Sequence, residues 1–189
     1  MKPIDFKNIS IADLAALINS KFAEHHMKAI LVGGACVAIY SNNRYLSYDL
    51  DFVTFEHKGA IKKALLELGF ELKGKYFAHP DCPYLVEFVS PPVAIGEEII
   101  TAFETLATPF GQVKLLTPTD CVKDRLASFF HWQDKQALEQ AVMVCQDQEV
   151  DLQEIERWAK KEGYQDKFNA FIKAVKKSRE RTRKLFTSE

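Results

Sequence analysis

The feature that most constrains the fold of this chain is a pair of aspartates inside an otherwise apolar stretch. In the sequence YDLDFVT, Asp49 and Asp51 alternate with Leu50 and Phe52. A period of two is the pattern of a β-strand, and it turns both carboxylates toward the same face of a sheet. Burying a carboxylate without a partner is costly. The pattern therefore predicts either a solvated strand edge or a cation placed against the two acids.

A third acid stands alone in a second apolar stretch. Glu87 lies within YLVEFVS, where it shares one face of the predicted strand with Leu85 and Val89. If this strand neighbours the one that carries Asp49 and Asp51, all three carboxylates converge. Three carboxylates can hold two divalent ions, an arrangement that stabilises the attacking and leaving oxygens in phosphoryl or nucleotidyl transfer.

A glycine pair ends an earlier apolar run. Gly33 and Gly34 follow the strand-like segment 29–32 and precede a short predicted helix over 35–41. Such a turn allows backbone N–H groups to approach a phosphate closely, although a glycine pair is more often only a tight turn. Ser47, just before the acids, either donates its hydroxyl to a phosphate oxygen or is an ordinary loop serine.

A change of composition near residue 116 predicts the domain organisation. Thr117-Pro118-Thr119-Asp120 is a helix-start signal, with a Thr N-cap and Pro at the first helical position. Beyond it, apolar stripes recur at helical spacing. We predict an α+β fold with a mixed sheet, in which residues 1–116 form an α/β domain and residues 117–189 form a helical module packed on it. The other predicted elements are helices over 9–22 (with Ser10 as N-cap) and 58–68 (closed by Gly69), strands over 70–77 and 84–89, and a hairpin over 104–116.

Lys123 lies one turn into the first helix of the second module, beside an apolar stripe. A lysine at this position can meet a triphosphate as a point charge, although lysines on helices are more often solvated.

A second basic feature lies at the C-terminal end, where residues 173–189 carry seven basic and two acidic side chains against a net charge of −1 for the whole chain. The stretch Lys173–Lys184 either contacts RNA phosphates or is the solvated face of a terminal helix.

The remaining composition excludes several classes of protein. No apolar run reaches the ~18 residues of a membrane-spanning helix, and the N-terminus lacks the apolar region of a signal peptide. We therefore expect a cytoplasmic protein without a membrane contact. The four cysteines form no C-x-x-C pair and have no histidine at metal-ligand spacing, which predicts reduced core thiols.

The order of these motifs resembles that of the DNA polymerase beta superfamily of nucleotidyltransferases. The chain reads LVGG, then SYDLDF and then VEF, which is similar to the superfamily's glycine pair, D-x-D strand and later acidic strand. The segment LLTPTDCVKDRL is similar to a strand–T-P-x-D–helix element of the small prokaryotic branch. That branch includes the abortive-infection type IV toxin nucleotidyltransferases and the lincosamide- and aminoglycoside-modifying enzymes, and the likeness spans residues 31–140.

The resemblance implies a role for each matching residue. The implied catalytic and metal-binding residues are Asp49, Asp51 and Glu87, and the implied nucleotide-binding residues are Gly33, Gly34, Ser47 and Lys123. Two Mg²⁺ ions, or Mn²⁺, are the implied cofactors. There are two departures from the family pattern: the third acid is Glu rather than Asp, and Arg44 lies three residues before Ser47 rather than two.

The implied activity is the transfer of a nucleoside monophosphate from an NTP to a hydroxyl acceptor, with release of pyrophosphate. The acceptor is RNA, a protein or a small molecule, and the resemblance also implies a toxin-antitoxin-like setting. Two alternatives stay open at this point. One is a catalytically silent nucleotide- or partner-binding protein of the same fold, and the other is a structural interaction module whose acids face bulk water.

Overall fold

The structure is a computed structural model that describes residues 4–186, except for the side chains of residues 182 and 184–186. Its helices are α1 (Ile11–Glu24), α2 (Gly34–Tyr40), α3 (Lys58–Leu66), α4 (Pro118–Trp132), α5 (Lys135–Asp147), α6 (Leu152–Lys161) and α7 (Gln165–Phe186). Its strands are β1 (Ile30–Val32), β2 (Asp49–Val53), β3 (Glu71–Lys73), β4 (Tyr76–Ala78), β5 (Leu85–Val89), β6 (Ala94–Ile95), β7 (Glu98–Ile99), β8 (Glu104–Thr108) and β9 (Gly111–Leu115).

A mixed seven-stranded sheet organises the first part of the chain, in the order β3-β4-β5-β2-β1-β9-β8. Strand β2 lies near its centre, antiparallel to β1 and parallel to β5. Strands β6 and β7 form a separate small hairpin. This mixed sheet with flanking helices is an α+β architecture, as the sequence predicts.

The two faces of β2 meet different surroundings. Leu50 and Phe52 are fully buried, and Phe52 is stacked on Phe88 of β5, with ring centroids 5.6 Å apart. Phe88 in turn is stacked on Phe22 of α1 at 5.3 Å. The alternating residues of β2 point to the opposite face, so packing of this aromatic core against α1 fixes the direction in which the aspartates point.

Local signals in the sequence account for most element boundaries. Ser10 caps α1 by accepting from the N–H of Asp13, and Thr117 caps α4 by accepting from the N–H of Asp120. Gly69 follows α3 with a φ of +83°, the left-handed conformation that favours glycine. These caps and stops lie where the sequence predicts them.

Two predictions about the strands were incomplete. The segment 70–77 is not one strand, because the chain turns back at Gly74 (φ +67°) and pairs Lys73 with Tyr76 in the β3–β4 hairpin. The β6–β7 hairpin was missed, because strands of two residues are too short to show a period.

The helices of the second part pack on one another and on the β6–β7 hairpin. Trp158 of α6 is fully buried. Its ring is stacked on Phe130 of α4 at 5.5 Å, and its indole N–H donates to the carbonyl of Ile95 in β6. The division into two modules at residue 116 stays a prediction. None of the helices within residues 4–186 has the length and apolar character needed to cross a membrane.

The cysteines behave as core thiols. Cys36, Cys121 and Cys145 are buried, Cys82 is half-buried, and all four are free. Burial raises the pKa of Cys82, Cys145 and the two deeper thiols. They therefore stay protonated at neutral pH and are poor nucleophiles.

Candidate active site

The three acids predicted from the sequence lie on neighbouring strands and on one face of the sheet. Asp51 of β2 is directly opposite Glu87 of the parallel strand β5. Neighbouring strands are about 4.8 Å apart, and successive residues on one face of a strand are about 7 Å apart. Asp49 is exposed, whereas Asp51 and Glu87 are half-buried. The sheet therefore places these three acidic residues next to one another on one face, which we call the acidic patch.

The glycine turn lies against this patch. Val32, the last residue of β1, is opposite Asp51, and Gly33 follows with a φ of +71°. A Cβ atom at Gly33 would come within 2.9 Å of the Oδ2 atom of Asp51. The backbone conformation therefore requires glycine at this position, and an added Cβ atom would also displace the Asp51 carboxylate.

Ser47 lies at the same turn but uses its hydroxyl within the chain. A Cβ atom at Gly34 would lie 3.2 Å from the Oγ atom of Ser47. That hydroxyl donates to the backbone carbonyl of Asp49 at 2.9 Å. Gly33, Gly34 and Ser47 thus border the acids, as the proposed phosphate cradle requires, while their contact with a phosphate stays a prediction.

The electrostatics of the patch are unfavourable to the ionised acids. Among residues 4–186, no hydrogen bond or ion pair engages the carboxylate of Asp49 or that of Asp51. Desolvation by burial raises the pKa of Asp51, and the negative charges of Glu87 and Asp49 raise it further. A cation at this patch would relieve both effects.

Glu87 is engaged by a lysine. The ammonium of Lys75, in the turn between β3 and β4, donates to Glu87 Oε2 at 2.9 Å. Lys75 is largely exposed, so this ion pair is of the weak surface kind. Within the described residues, no three His, Cys, Asp or Glu side chains lie in an arrangement that could hold a metal ion.

The donor set nevertheless fits divalent-ion chemistry. Mg²⁺ is usually bound by one or two carboxylates together with substrate phosphates and water. Asp49 and Asp51 supply two unpartnered carboxylates beside a turn where a phosphate can approach. A second ion would require Glu87 to leave Lys75 and turn toward Asp51.

Lys123 is buried against three other acids. Its side chain is only 2% exposed, and its ammonium contacts Glu98 at 2.7 Å, Asp120 at 3.2 Å and Glu154 at 3.3 Å. Burial lowers the pKa of Lys123, but the hydrogen bond to Glu98 and the charge of Asp120 outweigh burial and raise it overall. We call this group the Lys123 cage. Because the carboxylates already occupy the ammonium, the geometry does not favour the predicted phosphate contact.

Arg125 is a second cation on the same helix, and the sequence analysis does not include it among the candidate residues. Arg125 donates through Nε to Asp124 Oδ2 at 3.0 Å. Burial, Glu87 and Asp49 together raise the pKa of Asp51, and the positive charge of Arg125 opposes this rise without reversing it. Two positions along a helix correspond to about 200° of rotation, so Arg125 and Lys123 point in nearly opposite directions. The 3.6-residue period of a helix could have predicted that Lys123 and Arg125 lie on different faces of α4. It could not have shown which of these faces packs on the sheet.

Comparison with solved structures defines the fold. Over 74% of its length, the chain is similar to a crystal structure of an antigenic nucleotidyltransferase-like protein from Paracoccidioides brasiliensis, with 14% sequence identity, a TM-score of 0.54 and 77% of that chain covered. Over 83% of its length, it is similar to ANT(2")-Ia in complex with adenylyl-2"-tobramycin, with 12% identity, a TM-score of 0.53 and 94% of that chain covered.

These likenesses establish the fold alone, because the sequence identities are low. No protein-family model matches the chain, and no curated protein does. The chain has the nucleotidyltransferase fold, which confirms at the level of architecture the resemblance read from its motifs.

The Lys123 cage generates a prediction about stability. Lys123→Gln leaves Glu98, Asp120 and Glu154 clustered without the ammonium, and removing one partner of a buried ion pair costs about 3–5 kcal/mol. We expect a loss of about 3 kcal/mol in the free energy of unfolding, measured by urea denaturation. Lys62→Gln, on an exposed position of α3, is the matched control. A loss below about 1 kcal/mol, the range of a surface pair, would show that the cage is not a structural element.

Asp51 generates a prediction of opposite sign. Its pKa in the folded chain lies above the ordinary value of 3.8, so the folded state binds more protons and stability falls as pH rises through this window. The penalty grows as pH rises above the ordinary value of 3.8. Asp51→Asn should therefore raise the unfolding temperature near pH 7 and lose this advantage as pH falls toward 3.8. An unchanged or lower unfolding temperature at neutral pH would contradict the assignment, and Asp49→Asn, at the exposed position, should have the smaller effect.

Proposed function

We propose that this protein is a metal-dependent nucleotidyltransferase that moves a nucleoside monophosphate from an NTP to a hydroxyl acceptor and releases pyrophosphate. One observation carries the proposal: two unpartnered carboxylates lie beside the glycine turn, with Glu87 opposite Asp51 on the next strand. On a nucleotidyltransferase fold, this is the place where carboxylates and phosphates can share a cation.

The proposed roles follow from the positions of the residues. Asp49 and Asp51 hold Mg²⁺ or Mn²⁺, which when bound polarises the α-phosphate. Glu87 completes the acidic set and orients the acceptor hydroxyl once it is released from Lys75. Gly33, Gly34 and Ser47 border the triphosphate, which they can approach closely because the turn carries little side-chain bulk.

The alternative functions predict different properties for the acidic patch. A structural module whose acids face bulk water is disfavoured, because burial raises the pKa of Asp51 and water would have relieved it. A silent nucleotide-binding protein of the same fold requires no complete acidic set. All three acids share one face here, which favours the active enzyme.

The acceptor is the open part of the proposal. ANT(2")-Ia was crystallised with adenylyl-2"-tobramycin, which supports a small-molecule acceptor for a protein of this fold. A protein acceptor is the further alternative. RNA is favoured by a different observation on α7, whose described basic side chains Lys173, Lys176, Lys177, Arg179, Arg181 and Arg183 are all exposed. The side chain of Lys184 lies outside the described part.

A cavity of about 510 Å³ between α5 and α7 gives this basic surface a concave shape. Arg44, Lys177 and Arg181 line it together with the apolar residues Val142 and Met143. Arg44 also donates to Asp147 of α5, which ties the loop before Ser47 to this groove. The groove thus connects the basic helix with the chain segment that leads into the acidic strand.

The transfer reaction is tested with labelled nucleotide. Asp49→Asn and Asp51→Asn should each abolish Mg²⁺-dependent transfer of label from NTP to an acceptor in cell extract, because each removes a metal ligand. The Glu71→Gln variant, which changes an exposed acid on edge strand β3, should transfer as the wild type does. Wild-type transfer by both aspartate variants would refute the metal role. No labelled product with any NTP would favour the silent protein.

The RNA acceptor is tested by reversing charge. The Lys177→Glu/Arg181→Glu double variant should label RNA less than the wild type. The difference should shrink with added salt, because the wild type makes more phosphate contacts and therefore loses more affinity as salt is added. The Lys62→Glu/Lys63→Glu double variant makes the same charge change on α3. If both double variants label RNA equally well, the α5–α7 groove is not the RNA contact.

A further inference from the structure

One cavity of the molecule is bordered by a member of the acidic patch. It measures about 350 Å³ and lies between the loop after β2 and the carboxyl end of β5, where Glu87 is part of its wall. Lys75, in the turn between β3 and β4, and Lys58, the first residue of α3, also line it. A molecule bound here therefore lies next to the acid that the proposed function assigns to the acceptor hydroxyl.

The size and the apolar wall of the cavity suit a small molecule. Cavities that bind small ligands usually measure about 300–1,000 Å³, so this one is at the lower end of that range. Ile61 and Phe77 form a buried part of the wall, whereas Phe55, which also lines the cavity, is 85% exposed. An uncovered aromatic ring beside a cavity can stack on a ring of the ligand.

The basic side chains of the cavity favour an anion. Lys58 is exposed, and within residues 4–186 no hydrogen bond or ion pair engages its ammonium. It lies in the first turn of α3, where the helix dipole also favours negative charge. Lys75 contributes a second ammonium, which donates to Glu87 Oε2 at 2.9 Å.

The charge balance of the cavity changes once Glu87 joins the other acids. In the proposed function Glu87 is released from Lys75, and the ammonium of Lys75 then loses its partner. Among the described lining residues, two lysines are left with one acid, Glu56. This balance attracts a ligand with a negative charge, whereas a polyamine would be repelled by both lysines.

We propose that this cavity binds the acceptor, and that the acceptor is a small molecule with a hydroxyl group, a ring and a carboxylate or phosphate. The inference rests on the proposed function and names the substrate class for the acceptor side of the site. Lys58 and Lys75 bind the negative charge, and Phe55 stacks on the ring. The hydroxyl oxygen forms the new bond to the α-phosphorus, the bond to pyrophosphate breaks, and Glu87 takes up the hydroxyl proton.

The test is equilibrium binding of probes that differ in charge. The para-hydroxymethyl derivatives of benzoate, benzamide and benzylamine share a ring and a hydroxyl, and are anionic, neutral and cationic. Each is titrated with Mg²⁺ onto the isotopically labelled full chain, and its affinity is measured from amide chemical shifts. Because exposed ion pairs are weak, the benzoate should bind about 3- to 30-fold more tightly than the benzamide, and the benzylamine most weakly. The matching phenyl phosphate distinguishes the two anions: the tighter binder of the two identifies the acidic group of the acceptor.

Matched double variants connect this preference to the two lysines. Lys58→Gln/Lys75→Gln should bind the benzoate no more tightly than the benzamide, with the affinity for the benzamide changed less than about 3-fold. Lys62→Gln/Lys73→Gln removes the same charge from exposed positions that do not line the cavity, and should keep the preference. Phe55→Ala should weaken all three probes alike, about 2- to 10-fold, because it removes only the ring contact.

The outcomes separate this inference from the proposed function. A preference for the benzoate that Lys58→Gln/Lys75→Gln abolishes supports the anion-binding cavity even if the wild type transfers no nucleotide, in which case the proposed function alone fails. Transfer of nucleotide to RNA or protein, with no probe bound in the cavity, overturns the inference and leaves the proposed function intact. Tightest binding of the benzylamine, or a preference for the benzoate that survives loss of both lysines, also overturns the inference. Neither probe binding nor transfer by the wild type overturns both.

Discussion

The parallel pairing of β2 with β5 is the constraint on which the rest of the site depends. It places Asp51 opposite Glu87 and so brings together two like charges that would separate if they were free to do so. The stacked rings of Phe22, Phe52 and Phe88 hold the opposite face of the same strands. Packing of the aromatic core therefore offsets the repulsion on the acidic face. The raised pKa of Asp51 reflects its burial first and the charges of Glu87 and Asp49 second.

The helices beyond residue 116 act on the site through α4. The Lys123 cage joins α4 to the β6–β7 hairpin and to α6, and Arg157 adds a second link by donating to both Glu98 and Glu154. Gln140 of α5 contacts Arg125 on the other side of the helix. Neighbouring elements thus fix α4 in rotation from both sides.

Part of this arrangement could be predicted from the sequence, because it depends on local periods. The period of two in YDLDFVT and YLVEFVS predicts the shared faces of the acids, and the Thr117 cap predicts where α4 begins. Asp51 and Glu87 lie on strands that are far apart in the chain. Their pairing could be predicted only by assuming that these two strands are neighbours in the sheet. The partners of Lys123 lay beyond local reasoning, since they depend on the orientation of a whole helix, and Glu98 belongs to a hairpin too short to leave a pattern.

Crystals grown with Mn²⁺ and a non-hydrolysable NTP analogue would show whether these carboxylates bind a divalent ion beside a triphosphate. Anomalous scattering locates the manganese without reference to activity. We expect a manganese peak within ligating distance of Asp49 and Asp51, with the triphosphate beside Gly33. A triphosphate bound elsewhere, or a bound triphosphate with no manganese at these aspartates, would contradict it.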